Sequence, residues 1–347
     1  MANDTEVSGE EVEVIGENVD HEREGQVVEG GSWNWFDRDI ERVELDWTIN
    51  RSRVGSAPGK DRIEYKVIRL LTTDWRMALL KIFNDIWRGG GFPKIWKEAI
   101  LKFIPKQQRR ALRPISLLDC LGKVLEKIVN ERLRVWAEEE DRIDKNQSGF
   151  RKGRSTWDNL VILTSYIREN FGLGKEVICA FVDVKGAYDS VNHGKLVIGL
   201  RELGCPVRIV GFLEGWLRDR KLEVLKADGE RDRMSILRGL PQGSLLSPLL
   251  YNLYTSGVGQ VIRELEVKIL QYADDIAVYL EYVDREGGVR RLEEALERLR
   301  EYLAELDLEI APEKTQILTF SGRKGSISSL GSRICLGDID VEEVGQA

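Results

Sequence analysis

The chain has 347 residues, of which 42% are hydrophobic and 32% charged, so it can bury a sizeable core in one large domain or two. No run of about 18 apolar residues occurs, and the start lacks a basic segment followed by an apolar stretch, so we expect neither a membrane span nor a secretory signal. The four cysteines form no CxxC pair, which argues against a zinc site or a disulfide framework and favours an intracellular protein.

The charge is unevenly distributed along the chain. Residues 1–50 hold fifteen acidic residues and three arginines, whereas residues 51–157 hold twenty-five Lys or Arg and thirteen Asp or Glu. The first segment is acidic and has no sustained apolar period, so we predict a largely disordered tail over 1–50. The basic segment has the asymmetry of a surface that binds a nucleic-acid backbone, although a solvated face would show the same composition.

Apolar periodicity predicts the elements that follow. A stripe of apolar residues predicts a helix over 63–87 that ends at three glycines, and further helices are predicted over 118–135, 159–171, 196–203, 207–217, 247–261 and 290–306. Apolar runs predict strands over 99–105, 177–184, 222–226, 234–237, 267–272, 276–282, 308–310, 315–320 and 332–336. This alternation predicts an α+β fold in which helices cover one face of an antiparallel sheet.

Three aspartates stand in apolar surroundings. Asp183 lies within the predicted strand 177–184, and Asp274 and Asp275 lie at the turn between two apolar strands. A carboxylate near a sheet interior is costly unless it is paired or bound to a metal, and oxygen ligands favour Mg²⁺. If the strands are neighbours, the three carboxylates can hold two metal ions about 4 Å apart. An Asp-Asp pair is also common in ordinary hairpin turns.

Five segments resemble, in the family's order, motifs of the reverse transcriptases. ILQYADDIAVYL at 269–280 resembles the YxDD box, and FVDVKGAYDSVNH at 181–193 resembles the first catalytic box. RGLPQGSLLSPLLYNLY at 238–254 resembles the box that holds template and nucleotide. The segments at 113–133 and 146–156 resemble fingers motifs of the non-LTR (LINE-type, jockey-like) retrotransposon branch, and the likeness covers about 55–340.

The resemblance implies a right-hand polymerase fold with fingers over 51–175, a catalytic palm over 176–320 and a truncated primer-grip region over 321–347. It implies an antiparallel palm sheet with helices on one face. The implied activity is RNA-directed DNA synthesis, with two Mg²⁺ ions, or Mn²⁺ in their place, serving transfer to a primer 3′-OH. The implied partners are an RNA template, a DNA primer and dNTPs, and by analogy the protein would act in the nucleus or the cytoplasm.

The resemblance also implies roles for single residues at the metal centre. It makes Asp183 and Asp274 metal ligands, assisted by Asp275, and lets the backbone carbonyl of Val184 complete a site. Lys314 matches the lysine that protonates the departing pyrophosphate. Without the resemblance, Lys314 would be judged an ordinary surface lysine.

Further roles concern the nucleotide and the nucleic acid. The implied nucleotide-binding residues are the triphosphate clamp Arg113, its weaker alternative Lys106, the sugar screen Tyr188, and Gln242 and Gly243 beside the nascent pair. The implied template-binding residues are Arg151, Lys152 and Arg154. The alternatives are a core tyrosine at 188, an ordinary strand-to-helix turn at 239–243 and a solvated basic loop at 151–154.

Some expected parts of the family are missing from the sequence. We find no endonuclease, no Cys/His knuckle and no stretch after Val341 long enough for a helical thumb, and Gly59-Lys60-Asp61-Arg62 departs from the usual Pro-Gly-x-Asp-Gly loop. We therefore expect a fragment with palm and fingers. The alternative function is a catalytically impaired remnant that binds nucleic acid. RNA-templated RNA synthesis is a third possibility, against which Tyr188 argues.

Overall fold

The computed structural model describes residues 34–105, 112–225, 230–322, 333–336 and 339–342, which belong to one compact unit. The helices are α1 (Asn34–Asp37), α2 (Arg42–Arg51), α3 (Tyr65–Arg69), α4 (Thr73–Asp85), α5 (Cys120–Glu139), α6 (Thr156–Gly172), α7 (Ala187–Ser190), α8 (His193–Glu202), α9 (Val207–Leu217), α10 (Ser247–Tyr254), α11 (Val258–Val261) and α12 (Arg285–Glu305). The strands are β1 (Glu98–Pro105), β2 (Leu112–Leu117), β3 (Glu176–Val182), β4 (Arg220–Leu225), β5 (Arg231–Ile236), β6 (Lys268–Tyr272), β7 (Asp275–Tyr282), β8 (Gln316–Phe320), β9 (Arg333–Leu336) and β10 (Ile339–Glu342). Helices and sheets in one unit confirm the α+β class.

The acidic sheet, made of β6, β7, β3 and β8 in that order, is antiparallel throughout. Alternate residues of β3 point to opposite faces. On one face, Ile178 and Ala180 join the main core together with apolar residues of α12, whereas on the other Cys179 packs in a separate cluster with Leu163 and Ile167 of α6. The prediction of helices on one face is therefore wrong. Burial on both sides is the physical reason why β3 is almost continuously apolar.

The basic sheet has the order β2, β1, β4 and β5, and only β1 and β4 run parallel. The hairpin of β4 and β5 comes from the predicted palm segment, yet it pairs with strands of the predicted fingers segment. Residues 226–229, which connect β4 to β5, lie outside the described residues. The sheet carries Arg113 on β2 and faces the loop at 239–243, where the Ser116 amide donates to the Gln242 carbonyl at 2.7 Å.

The N-terminal part of the described chain is folded. Helix α2 buries Leu45 and Ile49 in the main core, and α1 buries Phe36 there. The acidic composition and the lack of an apolar period predicted a disordered tail over 1–50. This prediction is wrong for residues 34–50, because Phe36, Ile40, Leu45 and Ile49 are buried and Asp39, Glu41, Glu44 and Asp46 form ion pairs. Residues 1–33 lie outside the described residues.

The C-terminal strands β9 and β10 form an antiparallel hairpin, and Ile334 and Val341 are buried in the main core. This hairpin lies in the segment predicted as a truncated primer grip, a role that stays a prediction. Within the described parts of the chain, no helix is both long enough and apolar enough to cross a membrane.

A buried carboxyl group precedes α5. Asp119 is 1% exposed, and its Oδ1 accepts from the amide of Asp61 at 3.2 Å. Burial, together with the nearby Asp61 carboxyl, raises the pKa of Asp119 to about 6. A Cβ at Gly59 would lie 2.2 Å from this carboxyl, so the loop at 59–62 is pressed against it. The loop that departs from the usual family pattern is thus attached to the start of α5.

This carboxyl predicts a pH-dependent stability. The pKa of Asp119 is raised from 3.8 to about 6, so the folded state keeps a proton that the unfolded state loses. Its contribution to the free energy of unfolding is present at low pH and falls by about 3 kcal/mol as pH rises from about 4 to about 6. We expect Asp119→Asn to remove this loss, measured as the difference between its urea-unfolding free energies at pH 4.5 and pH 7.5.

The matched control for that experiment is Asp158→Asn. Hydrogen bonds from Ser155 lower the pKa of Asp158, so its contribution appears at higher pH and its removal acts in the opposite direction. An Asp119→Asn variant with the same pH dependence as the parent chain would contradict the prediction.

Candidate functional site

Three carboxyl groups meet at one end of the acidic sheet. Val182 of β3 pairs with Ile276 of β7, so Asp183 and Asp275 follow that pair at the same end. Tyr272 pairs with Asp275, which leaves Ala273 and Asp274 as the two residues of the hairpin turn. Desolvation and the charges of Asp274 and Asp183 raise the pKa of Asp275, although its side chain is reached by solvent. The structure thus brings the three predicted carboxylates together.

A lysine balances part of this negative charge. Lys314 Nζ lies 3.0 Å from Asp183 Oδ1, and both side chains are partly exposed. The segment before Lys314 is attached to the chain after β3, because the Ala311 amide donates to the Asp183 carbonyl at 2.7 Å. In the bridge between Val184 and Ile310, the hydrogen bonds are formed by the backbone groups of the neighbouring residues. The carbonyl of Val184 therefore takes no part in this pairing. Lys314 therefore neutralises a predicted metal ligand.

An open cavity of about 640 Å³ lies in front of this sheet end. The predicted site residues that line it are Arg113, Asp183, Val184, Tyr188, Gln242, Gly243, Asp274 and Lys314. Asp275 instead lines an adjacent cavity of about 420 Å³, together with Tyr272, Asp183 and Lys314. Residues from both sheets therefore surround one space, and Lys106 lies outside the described residues.

Tyr188 forms part of the cavity wall. Its ring stacks on Tyr251 with centroids 4.9 Å apart and an interplanar angle of 22°. Burial and the charge of Asp274 raise the pKa of Tyr188, and its buried hydroxyl has no hydrogen-bond partner among the described residues. Packing therefore holds a neutral tyrosine ring at the cavity wall. This position is compatible with a ring that screens the sugar and also with a tyrosine that only packs in the core.

The loop at 239–243 approaches β2 closely. Gly243 has φ +137°, and a Cβ there would lie 2.4 Å from the Ser116 carbonyl oxygen. The Gln242 side chain donates to Asp189 Oδ1 at 3.1 Å, so Asp189 braces this loop. Only glycine fits at 243, because any side chain would collide with the basic sheet.

The basic loop at 151–154 divides into two parts. Arg151 is directed into the fold, where its Nε donates to Glu138 Oε1 at 3.0 Å and its side chain is 9% exposed. The prediction that Arg151 grips the template is corrected, because this ion pair already occupies the guanidinium. Lys152 and Arg154 are exposed, and Arg154 also donates to the Lys145 carbonyl at 2.6 Å.

Gln147 contacts the turn formed by Ala273 and Asp274, but it is not among the predicted site residues. Gln147 is 1% exposed, and its side chain forms two hydrogen bonds with the backbone of Ala273. Gln147 lies within the NQSGFRKGRST segment that carries part of the resemblance, but no periodicity or charge pattern distinguishes it. Its partner is 126 residues further along the chain, so only the folded structure reveals the contact.

The carboxylates offer oxygen ligands suited to a hard divalent cation. Their mutual repulsion, visible in the raised pKa of Asp275, is of the kind that a cation relieves. In the described part of the chain, however, no group of three or more His, Cys, Asp or Glu side chains is arranged so that it could hold a metal ion. The donor chemistry suits a hard divalent cation, while the described side chains are not assembled into a complete metal site.

Sequence comparisons give independent information on the family. Residues 104–334 match the family described as "Reverse transcriptase (RNA-dependent DNA polymerase)". The chain is 31% identical over 294 residues to the RNA-directed DNA polymerase from mobile element jockey of Drosophila melanogaster, covering 82% of this chain and 32% of that protein. It is 31% identical over 289 residues to the jockey polymerase of Drosophila funebris, covering 80% of this chain and 31% of that protein.

A third relative comes from another transposon. The probable RNA-directed DNA polymerase from transposon BS of Drosophila melanogaster is 30% identical over 282 residues, covering 78% of this chain and 31% of that protein. The chain therefore spans about a third of the length of these curated relatives.

Proposed function

Because the chain belongs to the reverse transcriptase (RNA-dependent DNA polymerase) family, we propose that it catalyses RNA-templated DNA synthesis of the non-LTR retrotransposon type. The observation that carries the proposal is the shared cavity, in which Asp183 and Asp274 face Arg113, Tyr188 and Gln242. The proposed substrates are a DNA primer annealed to an RNA template and a dNTP. Action in the nucleus or the cytoplasm stays a prediction.

We also propose that the two sheets belong to two subdomains of a right-hand polymerase fold. The acidic sheet with α6 and α12 is the palm, and the basic sheet with the preceding helices is the fingers. The proposed sequence bounds are 51–175 for the fingers and 176–320 for the palm, except that β4 and β5 join the sheet of the fingers. The hairpin of β9 and β10 is the proposed primer-grip region within 321–347.

Asp183 and Asp274 are the proposed metal ligands, with Asp275 assisting and the free carbonyl of Val184 available. Two bound Mg²⁺ ions, or Mn²⁺ in their place, would stabilise charge on the attacking primer oxygen and on the leaving pyrophosphate. Lys314, which pairs with Asp183 at 3.0 Å, would be the residue that gives a proton to the departing pyrophosphate. The primer 3′-OH is the nucleophile, so no protein nucleophile is needed.

The remaining cavity residues position the nucleotide. The exposed guanidinium of Arg113 is suited to bidentate contact with the triphosphate. Tyr188 closes the space beside the sugar 2′ position, and the backbone of Gly243 with Gln242 reaches the nascent base pair. Lys152 and Arg154 remain the proposed contacts to the template backbone. Arg151 is not among these contacts, because Glu138 binds it.

The direct test is extension of a DNA primer on an RNA template with dNTPs, with and without Mg²⁺ or Mn²⁺. Product that requires the divalent ion supports the proposal, and failure to extend under every metal condition rejects catalysis. The alternative is a catalytically impaired protein that binds nucleic acid. RNA binding that weakens with salt, without any extension, would select this alternative.

Sugar selection provides a further prediction. We expect Tyr188→Ala to increase ribonucleotide incorporation relative to deoxyribonucleotide by about tenfold to a hundredfold, because the aromatic wall beside the 2′ position is removed. The measurement is the ratio of kcat/KM for the two nucleotides. Tyr188→Phe is the matched control and should preserve the ratio, since it keeps the ring and removes a hydroxyl that has no partner among the described residues. An unchanged ratio in Tyr188→Ala would favour the core interpretation.

A further inference from the structure

The outer edge of the acidic sheet is extended by the segment 146–148, which runs beside β6. Gln147 forms a parallel bridge with Gln271. The Gln271 amide donates to the Asn146 carbonyl at 3.0 Å, and the Ser148 amide donates to the Gln271 carbonyl at 2.9 Å. The backbone of this segment therefore pairs with β6 two residues before the turn that carries Asp274.

The side chain of Gln147 continues this pairing as far as the turn. Its Oε1 accepts from the Ala273 amide at 2.8 Å, and its Nε2 donates to the Ala273 carbonyl at 3.1 Å. The same Oε1 accepts from the Gly149 amide at 2.8 Å. A side-chain amide thus takes the place of a strand backbone and satisfies both backbone groups of Ala273 in a buried setting.

Ala273 has an unfavourable backbone conformation. Its φ is +58°, in the left-handed region that residues with a Cβ avoid. Such a conformation persists where the surrounding structure holds it, and it is frequent at functional sites. Because Ala273 directly precedes Asp274, its backbone angles set the direction in which the Asp274 side chain leaves the turn.

The segment that carries Gln147 is itself held in place. A Cβ at Gly149 would lie 2.2 Å from the Ala273 amide nitrogen, so the two backbones are in direct contact. Asn252 of α10 is 1% exposed and donates to the Gly149 carbonyl at 2.8 Å. The segment cannot retreat from the turn without breaking these buried contacts.

We propose that Gln147 is a positioning residue that holds Ala273 in its left-handed conformation and thereby aims Asp274 into the cavity. The inference rests on the proposed function for its effect on catalysis. The effect of Gln147 on the stability of the turn can be measured on the chain alone, without metal or substrate. Gln147 touches no reacting group and acts only through the backbone beside Asp274.

The test uses Gln147→Met, which keeps the length of the side chain and removes both hydrogen bonds to Ala273. Hydrogen exchange of the amides in 270–276 is measured by mass spectrometry, and primer extension gives kcat and KM. We expect turn exchange to accelerate about tenfold or more and kcat to fall about a hundredfold. The KM for dNTP should stay within about threefold, because the nucleotide contacts are unchanged.

The control is Asn170→Ala, which removes another buried side-chain amide. Asn170 is in the last turn of α6, and its Nδ2 donates to the Tyr166 carbonyl at 2.9 Å. It should destabilise the fold while leaving exchange at 270–276 and kcat near the parent values. If Gln147→Met does not fold, Gln147→Glu keeps the acceptor for the Ala273 amide, loses the donor and serves the same test.

The outcomes separate this inference from the proposed function. Unchanged exchange at 270–276 in the Gln147 variant overturns the inference, and so does faster exchange with an unchanged kcat. An equal effect of Asn170→Ala on the turn also overturns it, since the effect would then be general destabilisation. If the parent chain extends no primer, the proposed function fails, while hydrogen exchange still decides whether Gln147 holds the turn.

Discussion

Asp183→Asn is expected to lower the kcat of primer extension about a thousandfold, which corresponds to about 4 kcal/mol of lost transition-state stabilisation. The carboxylate stands at the end of β3 in the cavity that Asp274 also lines, and asparagine is a weaker ligand for a hard cation. Folding should be little affected, because the ion pair with Lys314 is partly exposed and such pairs contribute about 0–1 kcal/mol. The measurement is single-turnover extension at saturating dNTP.

The matched control for Asp183→Asn is Glu309→Gln. Glu309 is an exposed carboxylate that pairs with Lys185, close to the same sheet end but outside the cavity lining. It should retain extension within about twofold of the parent chain, since a surface ion pair contributes little. An Asp183→Asn protein that extends primers as fast as Glu309→Gln would show that Asp183 is not a metal ligand.

Arg132→Met is expected to lower the free energy of unfolding by about 3–5 kcal/mol. The side chain is 2% exposed, and Nη2 lies 2.8 Å from Glu44 Oε2. Its guanidinium also donates to three backbone carbonyls of the N-terminal segment, at Phe36, Arg38 and Asp39. Methionine fills much of the same volume but leaves these acceptors without their donor, which urea unfolding should reveal.

Two further variants test whether the loss of stability in Arg132→Met comes from the buried ion pair. Arg42→Met removes an exposed pair with Asp46 and should cost less than about 0.5 kcal/mol. The double variant Arg132→Met with Glu44→Met should lose less than the sum of the two single losses, because the two side chains pair directly, while Glu44 also pairs with Arg38 at 3.1 Å. If Arg132→Met were as stable as Arg42→Met, the N-terminal segment would not depend on this arginine.

The helix predicted over 63–87 illustrates the limit of a periodic pattern. The structure has α3 and α4 there, separated at 70–72, with a new helix beginning after Thr72. Leu70 and Trp75 are two of the apolar residues in the pattern that predicted this helix, but they are 81% and 67% exposed. A break in the helix changes which side faces the core, and an apolar pattern continues across such a break without revealing it.

Charge patterns fail for a related reason, since they do not identify ionic partners. The acidic N-terminal segment was predicted to be disordered, yet Glu44 pairs with Arg132, 88 residues away. The basic residue Arg151 was predicted to bind template, yet it pairs with Glu138. In both cases composition gives the sign of the charge but does not identify the partner that neutralises it in the folded chain.

Local sequence patterns were sufficient to locate the strands of the acidic sheet and the three aspartates at their ends. Local information suffices there, because a carboxylate within an apolar run is conspicuous and short hairpins join neighbouring strands. The packing of distant segments was needed to show that helices cover both faces of this sheet, that Lys314 pairs with Asp183 and that Gln147 bonds to the turn before Asp274. Each of these contacts joins residues more than a hundred positions apart or depends on which elements pack together, and a local pattern carries no record of such distances.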